Sequence, residues 1–180
     1  MMDIDGVKRR GPVGRVHMKL SDGVEWGLHC TALLAVIPAD TVLPGKALAE
    51  FHGVSESYLI KHLQALAAAG ILVSVPGPKG GYRLARPAAE ITMLEVVDAI
   101  EGRDPAFRCS EIRQRGPAGL EPAVYRLPCA INATMLRAEM AWRKSLRGQT
   151  IADLVAGLGK RVDQRAVDKT LVWFQEHLRG

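Results

Sequence analysis

"SESYLIKHLQALAAAGILVSVPGPKGGYRLAR", residues 55–86, runs from one kind of periodicity straight into another. Leu59, Leu63 and Leu66 recur at spacings of four and three, which sets them along one face of a helix. Ser55 stands in front of that helix as a capping hydroxyl, and Gly70 stops it. The β-branched run at 71–75 then predicts a strand. The Pro- and Gly-rich segment 76–81 predicts a tight turn, and 82–86 a returning strand.

Working upstream, Trp26, Cys30, Leu33, Leu34 and Ile37 form the apolar stripe of a helix over 24–37, ended by Pro38. Residues 43–53 predict a short helix with a Gly-Val turn behind it. Helix, helix, tight turn, helix, hairpin is the order of a winged helix-turn-helix. Downstream, 90–102 reads as a helix capped by Thr92 and stopped by Gly102. The fold class is therefore mainly α with a small β-hairpin: a winged helix-turn-helix DNA-binding domain over 18–102, followed by a long dimerisation helix. Residues 103–129 are rich in Gly, Pro and charge and form a connecting loop. From 130 a helical period resumes, with Ile131, Met135, Ala138 and Trp142 on one stripe. So long a helix has little core of its own to cover, and a second copy of the chain is the expected cover. We assign 130–180 to this dimerisation helix and a C-terminal tail, in which 150–158 is a short capped helix and 170–178 an amphipathic one. Residues 1–17 lack periodicity and carry Lys8, Arg9, Arg10 and Arg15, as a flexible basic extension would.

Hydrophobic residues make up 48% of the 180 and charged ones 24%, enough apolar matter for a core and too little charge for global disorder. No apolar run reaches the roughly 20 residues that span a bilayer, and the first residues contain no secretory h-region. No membrane partner is expected, and three cysteines without an export signal suit a reducing cytoplasm. A net charge of +5 leans towards anionic partners.

The second helix of a helix-turn-helix presents its N-terminal residues to base edges in the major groove. Here these are Ser55, Ser57, Tyr58, Lys61 and His62, with Leu59, Leu63 and Leu66 on the buried side. The wing adds Lys79 and Arg83 beside Gly80 and Gly81, whose bare backbone permits close approach to phosphates. Double-stranded DNA is the expected partner. A helical protein with an ordinary solvated face is the alternative. The ordered set of elements ending in a Gly-Gly wing argues against it.

A second pattern concerns metals. Glu25 and His29, four apart, share one helix face and stand close enough to share an ion. Such a pair on its own is ordinarily a solvated ion pair, and a lone Cys is ordinarily inert packing. Cys30 lies about 100° round the helix from His29 and is read as core. Cys109 and Cys129 bracket the loop before the long helix.

The segments "MKLS", "VSESYLIKHLQALAAAGILVS", "GPKGGYRLARPAAEITMLEVVDAIEG" and "FRC" resemble the Rrf-two family of bacterial transcription regulators, the IscR and NsrR group, from about Met18 to Leu158. The resemblance implies a homodimeric winged-helix regulator, expected here to be a repressor, on a palindromic operator. Many members hold an iron–sulfur cluster through three closely spaced cysteines in the loop before the dimerisation helix. This chain has only Cys109 and Cys129 there, so either there is no cluster or other residues complete it. A two-iron cluster takes four protein ligands and accepts imidazole in place of thiolate; carboxylate is a rarer donor. Resemblance to one redox-sensing member implies a [2Fe-2S] cluster held by Cys109 and Cys129 of one chain and Glu25 and His29 of the other. Trp26, beside Glu25, would cover the cluster and move with its state. Two alternatives stay open: a cluster-free regulator sensing thiol oxidation or a small ligand, and a small electron-transfer protein. No nucleophile–base set, phosphate loop or nucleotide fingerprint occurs, so enzymatic activity is not expected.

Overall fold

The computed structural model describes residues 20–179, and the basic extension expected at 1–17 lies outside them. The chain opens with α1 (Asp22–Leu34), whose Val24, Cys30, Leu33 and Leu34 are buried. This helix stops short of Ile37, because a residue ahead of a proline is pushed out of the helical region. Ile37 still reaches the core. The first turn is held by the Ser21 N–H, which donates to Glu101 Oε1 at 2.8 Å, and not by the Ser21 hydroxyl.

Helices α2 (Gly45–His52) and α3 (Glu56–Ala68) form the helix-turn-helix. Gly53 closes α2 at φ 64°, ψ 35°, a left-handed conformation that glycine adopts without steric cost. The Val54 N–H then reaches back 3.0 Å to the Ala49 carbonyl, which sets the sharp turn. Leu59, Leu63 and Leu66 of α3 are fully buried, as their spacing predicts. At about 1.5–3 kcal/mol for each buried leucine, that face alone anchors the helix.

Strands β1 (Leu72–Val75) and β2 (Gly81–Leu84) pair antiparallel, Leu72 with Leu84 and Val75 with Gly81. Leu43 adds a rung beyond β2: its N–H donates to the Tyr82 carbonyl at 3.0 Å, and the Tyr82 N–H returns to Leu43 O at 2.8 Å. Helix α4 (Met93–Glu101) starts with a reciprocal cap in which Thr92 Oγ1 accepts from the Glu95 N–H and Glu95 accepts from the Thr92 N–H.

Helix α5 (Ala130–Arg147) then leaves the core. None of its residues is buried, and Ile131 and Met140 are 65% and 69% exposed. It is tied to α4 by Arg143, which donates to Asp98 at 2.7 Å. The chain then returns. Ile151, at the start of α6 (Ile151–Gly159), is fully buried, and its N–H donates to Ile91 O at 2.8 Å. Helix α7 (Gln164–His177) buries Phe174 and sets Trp173 edge-on against Phe51 of α2, with ring centres 4.8 Å apart. The amphipathic tail expected at 170–178 is the second half of α7, and what it covers is the helix-turn-helix.

Candidate DNA interface and sensor site

The exposed face of α3 carries Ser55, Ser57, Tyr58 and Lys61, and Tyr58 is 64% exposed. Ser55 makes no cap bond; its hydroxyl lies 3.2 Å from that of Ser57. His62 is held differently. Its ring fills the space above Gly23, where a Cβ would come within 2.6 Å of Nε2, and it meets the Trp26 indole edge-on at 6.1 Å. Trp26 also meets Tyr58 edge-on at 6.4 Å. Two side chains of α3 are thus propped by one indole from α1.

On the wing, Lys79 is exposed and Arg83 half-buried, with Nη1 donating to the Leu84 carbonyl at 3.4 Å. The two glycines of the wing stand in tight places. Gly81 is buried, and a Cβ there would stand 2.5 Å from the Leu43 carbonyl carbon and 2.8 Å from the Pro44 nitrogen. At Gly80 a Cβ would lie 2.8 Å from the Pro76 carbonyl carbon. Both glycines let backbone approach backbone, Gly80 inside the wing turn and Gly81 against the Leu43–Pro44 segment, so neither position has room for a side chain.

The four expected ligands fall into two groups. Glu25 and His29 are both exposed and no ion pair joins them among the described residues. They line an open recess of about 480 Å³ whose other walls include Val24, Leu28, Ala32, Met93 and Leu154. The His29 ring centre is 5.7 Å from that of His52 on α2. Burial, then the neighbouring His29, pushes His52 down to about 4, and its Nε2 has no hydrogen-bond partner. Sequence patterning did not single out His52, because the turn that brings α2 onto α1 is a tertiary feature.

Cys109 and Cys129 form the other group. The two thiols stand near enough across the ends of the loop for each to shift the acidity of the other. Cys129 occupies the position before α5, where the Asn132 N–H first, then the Ile131 N–H and the Cys109 thiol, hold it below the usual thiol range. A backbone bond at Glu111 favours the Cys109 thiolate, but burial and the adjacent Cys129 outweigh it and leave that thiol above the usual range. Glu111, at φ 50°, receives Arg113 Nε at 2.7 Å and stands 3.8 Å from Cys109 Sγ. Arg113 also donates to Leu127 O at 2.7 Å and lies 5.1 Å over the Tyr125 ring. Charge and one aromatic therefore knit the loop together without an apolar core. Cys30 is fully exposed to none of this: it is buried in the core, and burial pushes its thiol up to about 12.

Among the described residues, no group of three or more His, Cys, Asp or Glu gathers in one chain. The four expected donors stand as two separate pairs, half-buried Cys109 and Cys129 at the ends of the loop and exposed Glu25 and His29 on α1. Neither half is sufficient alone.

A helix-turn-helix with a hairpin wing, a solvent-facing polar helix and an uncovered long helix define a winged-helix DNA-binding regulator. Residues 20–157 match the family described as "Rrf2: Iron-dependent Transcriptional regulator", and the chain belongs to that family. The chain is 28% identical over 165 residues to YwgB of Bacillus subtilis, described as an HTH-type transcriptional regulator, a match covering 91% of this chain and 99% of that protein. It also superposes on the oxidized form of Staphylococcus aureus CymR, with TM-score 0.58 and 28% identity over 81% of this chain and 99% of the other. The fold is likewise that of T. potens IscR, with TM-score 0.61 and 22% identity over 83% of this chain and 96% of the other. No helix among the described residues is long and apolar enough to cross a membrane.

Proposed function

We propose that this regulator is a homodimeric repressor of the cytoplasm that reads redox state through a [2Fe-2S] cluster and binds a palindromic operator. Cys109 and Cys129 of one chain and Glu25 and His29 of its partner would hold the cluster, an arrangement similar to that of the redox-sensing regulator RsrR. The observation that carries the reading is the position of Trp26. It sits between Glu25 and the helix it props, so a shift of α1 at the ligand pair is felt at Tyr58 and His62. When bound, the cluster supplies a one-electron couple whose reduced form carries one more negative charge. The residues of this chain do the rest. Asp22, Glu25 and His29 line one mouth of the recess, so added charge there changes the position that α1 prefers. Because α1 packs on both α3 and α4, that preference biases the spacing of the two recognition helices in a dimer.

The adjacency of Cys109 and Cys129 within one chain favours a second reading, a cluster-free dithiol sensor, and the similarity to an oxidized CymR structure supports it. Anaerobic absorption spectra with iron and sulfide counts decide between them. The cluster reading expects a visible chromophore with about two irons per site, altered in both Glu25→Ala and His29→Ala. A colourless wild-type protein after reconstitution selects the dithiol sensor, and wild-type spectra in both variants reject the mixed ligand set.

A further inference from the structure

The family match ends at residue 157, and α7 lies beyond it. This segment does not trail away from the fold. Phe174 is buried among core residues, Trp173 packs on Phe51 of α2, and His177 stacks on Trp173 with ring centres 4.2 Å apart. Past the helix, Arg179 pairs with Val42: the Val42 N–H donates to Arg179 O at 2.9 Å, and the Arg179 N–H returns to Val42 O at 3.2 Å. Val42 adjoins Leu43, which is itself bridged to Tyr82 of β2, so the segment continues the edge of the wing sheet. Arg179 Nη1 then donates to the carbonyl of Pro78 at 3.0 Å, at the tip of the wing turn. The exposed Arg179 borders a recess of about 360 Å³ between α2, the start of α3 and the wing, together with Lys46, Glu56, Ile60 and Pro78. Lys46 is 71% exposed and lies 3.8 Å from Glu50, and Lys79 is the next residue of the turn.

We propose that α7 and Arg179 are a working part of the DNA-binding unit: the helix fixes the wing, and Arg179 contacts the phosphate backbone beside Lys46 and Lys79. The physical reason is one of placement. A wing built on the glycines 77, 80 and 81 has few side chains to hold it. A guanidinium bonded to its tip carbonyl both limits its motion and puts a permanent cation there, with further N–H donors for phosphate oxygens. The proposal rests on the DNA-binding reading of α3 and the wing.

The test uses full-length protein and a fluorescein-labelled 30-base-pair duplex of mixed sequence, so that only the sequence-independent phosphate term is read. Anisotropy titrations between 50 and 200 mM salt give the slope of log K against log salt. Each lost phosphate contact lowers that slope by about 0.9. Arg179→Gln should therefore lower it by about 0.9 per chain and speed amide exchange across 76–81 in the DNA-free protein. Arg179→Lys should restore the slope. An unchanged slope in Arg179→Gln overturns the proposal, as does an Arg179→Lys variant no better than the Gln variant. If wild-type protein fails to bind any duplex, the DNA-binding reading itself falls, and this proposal with it.

Discussion

Replacing Gly81 with alanine separates two reasons for a glycine in the wing. If the bare backbone exists to approach phosphate, alanine leaves the free protein as stable as before and weakens DNA binding alone. The structure assigns it the other reason. A Cβ on residue 81 would stand 2.5 Å from the Leu43 carbonyl carbon and 2.8 Å from the Pro44 nitrogen, which are backbone atoms with no rotamer to yield. Relief requires Leu43 and Tyr82 to separate, and they share two hydrogen bonds of 2.8 and 3.0 Å. Each such bond contributes about 0.5–1.5 kcal/mol net. Overpacking a tight site costs about 1–3 kcal/mol. Against this, alanine restricts the unfolded chain and returns about 0.4–1 kcal/mol. The expected net loss is about 1–5 kcal/mol. Urea denaturation at one fixed protein concentration measures it, since a dimer's apparent stability depends on concentration. A loss below about 0.5 kcal/mol, with weakened DNA binding, would refute the packing argument and reinstate the phosphate one.

Two further outcomes follow from single residues. Cys30 should resist iodoacetamide in the native protein at pH 8 while Cys109 and Cys129 react, and all three should label in denaturant; native labelling of Cys30 would contradict its burial. Its folded value is raised to about 12 from about 9, so the thiol's contribution to stability is complete below pH 9 and declines as pH rises towards 12, which a pH series of denaturation midpoints reads. Thr92→Ala removes the hydroxyl that accepts the Glu95 N–H and should cost about 1 kcal/mol. An unchanged midpoint would show that the cap contributes nothing in this context.

The helix-turn-helix and the hairpin were legible because their signals are local. Leucines at spacings of three and four, Gly53 after α2 and Gly70 after α3 each act within a few residues of themselves. The cap at Thr92 was legible for the same reason. Helix α5 was legible as an amphipathic helix whose own core is missing, and its exposed Ile131 and Met140 agree with that. One local reading did not carry over: Ser55 sits where a cap belongs without making the cap bond. Leu43 is too far from Tyr82 in the chain for any short pattern to join them.

By itself the sequence determined the helix-turn-helix, the hairpin and the long helix, which leucines of α3 and which cysteine are buried, and that two thiols bracket a loop while a carboxylate–imidazole pair shares one face of α1. Only tertiary structure decided that Trp26 props Tyr58 and His62, that the His62 ring rests over Gly23, and that Cys109 meets Cys129. It also decided that α7 returns to lay Arg179 against the wing. Periodicity and capping depend on neighbours within one or two helical turns, and a sequence displays those directly. Contacts across long separations depend on how whole faces pack, and each of these pairings formed only where two such faces met.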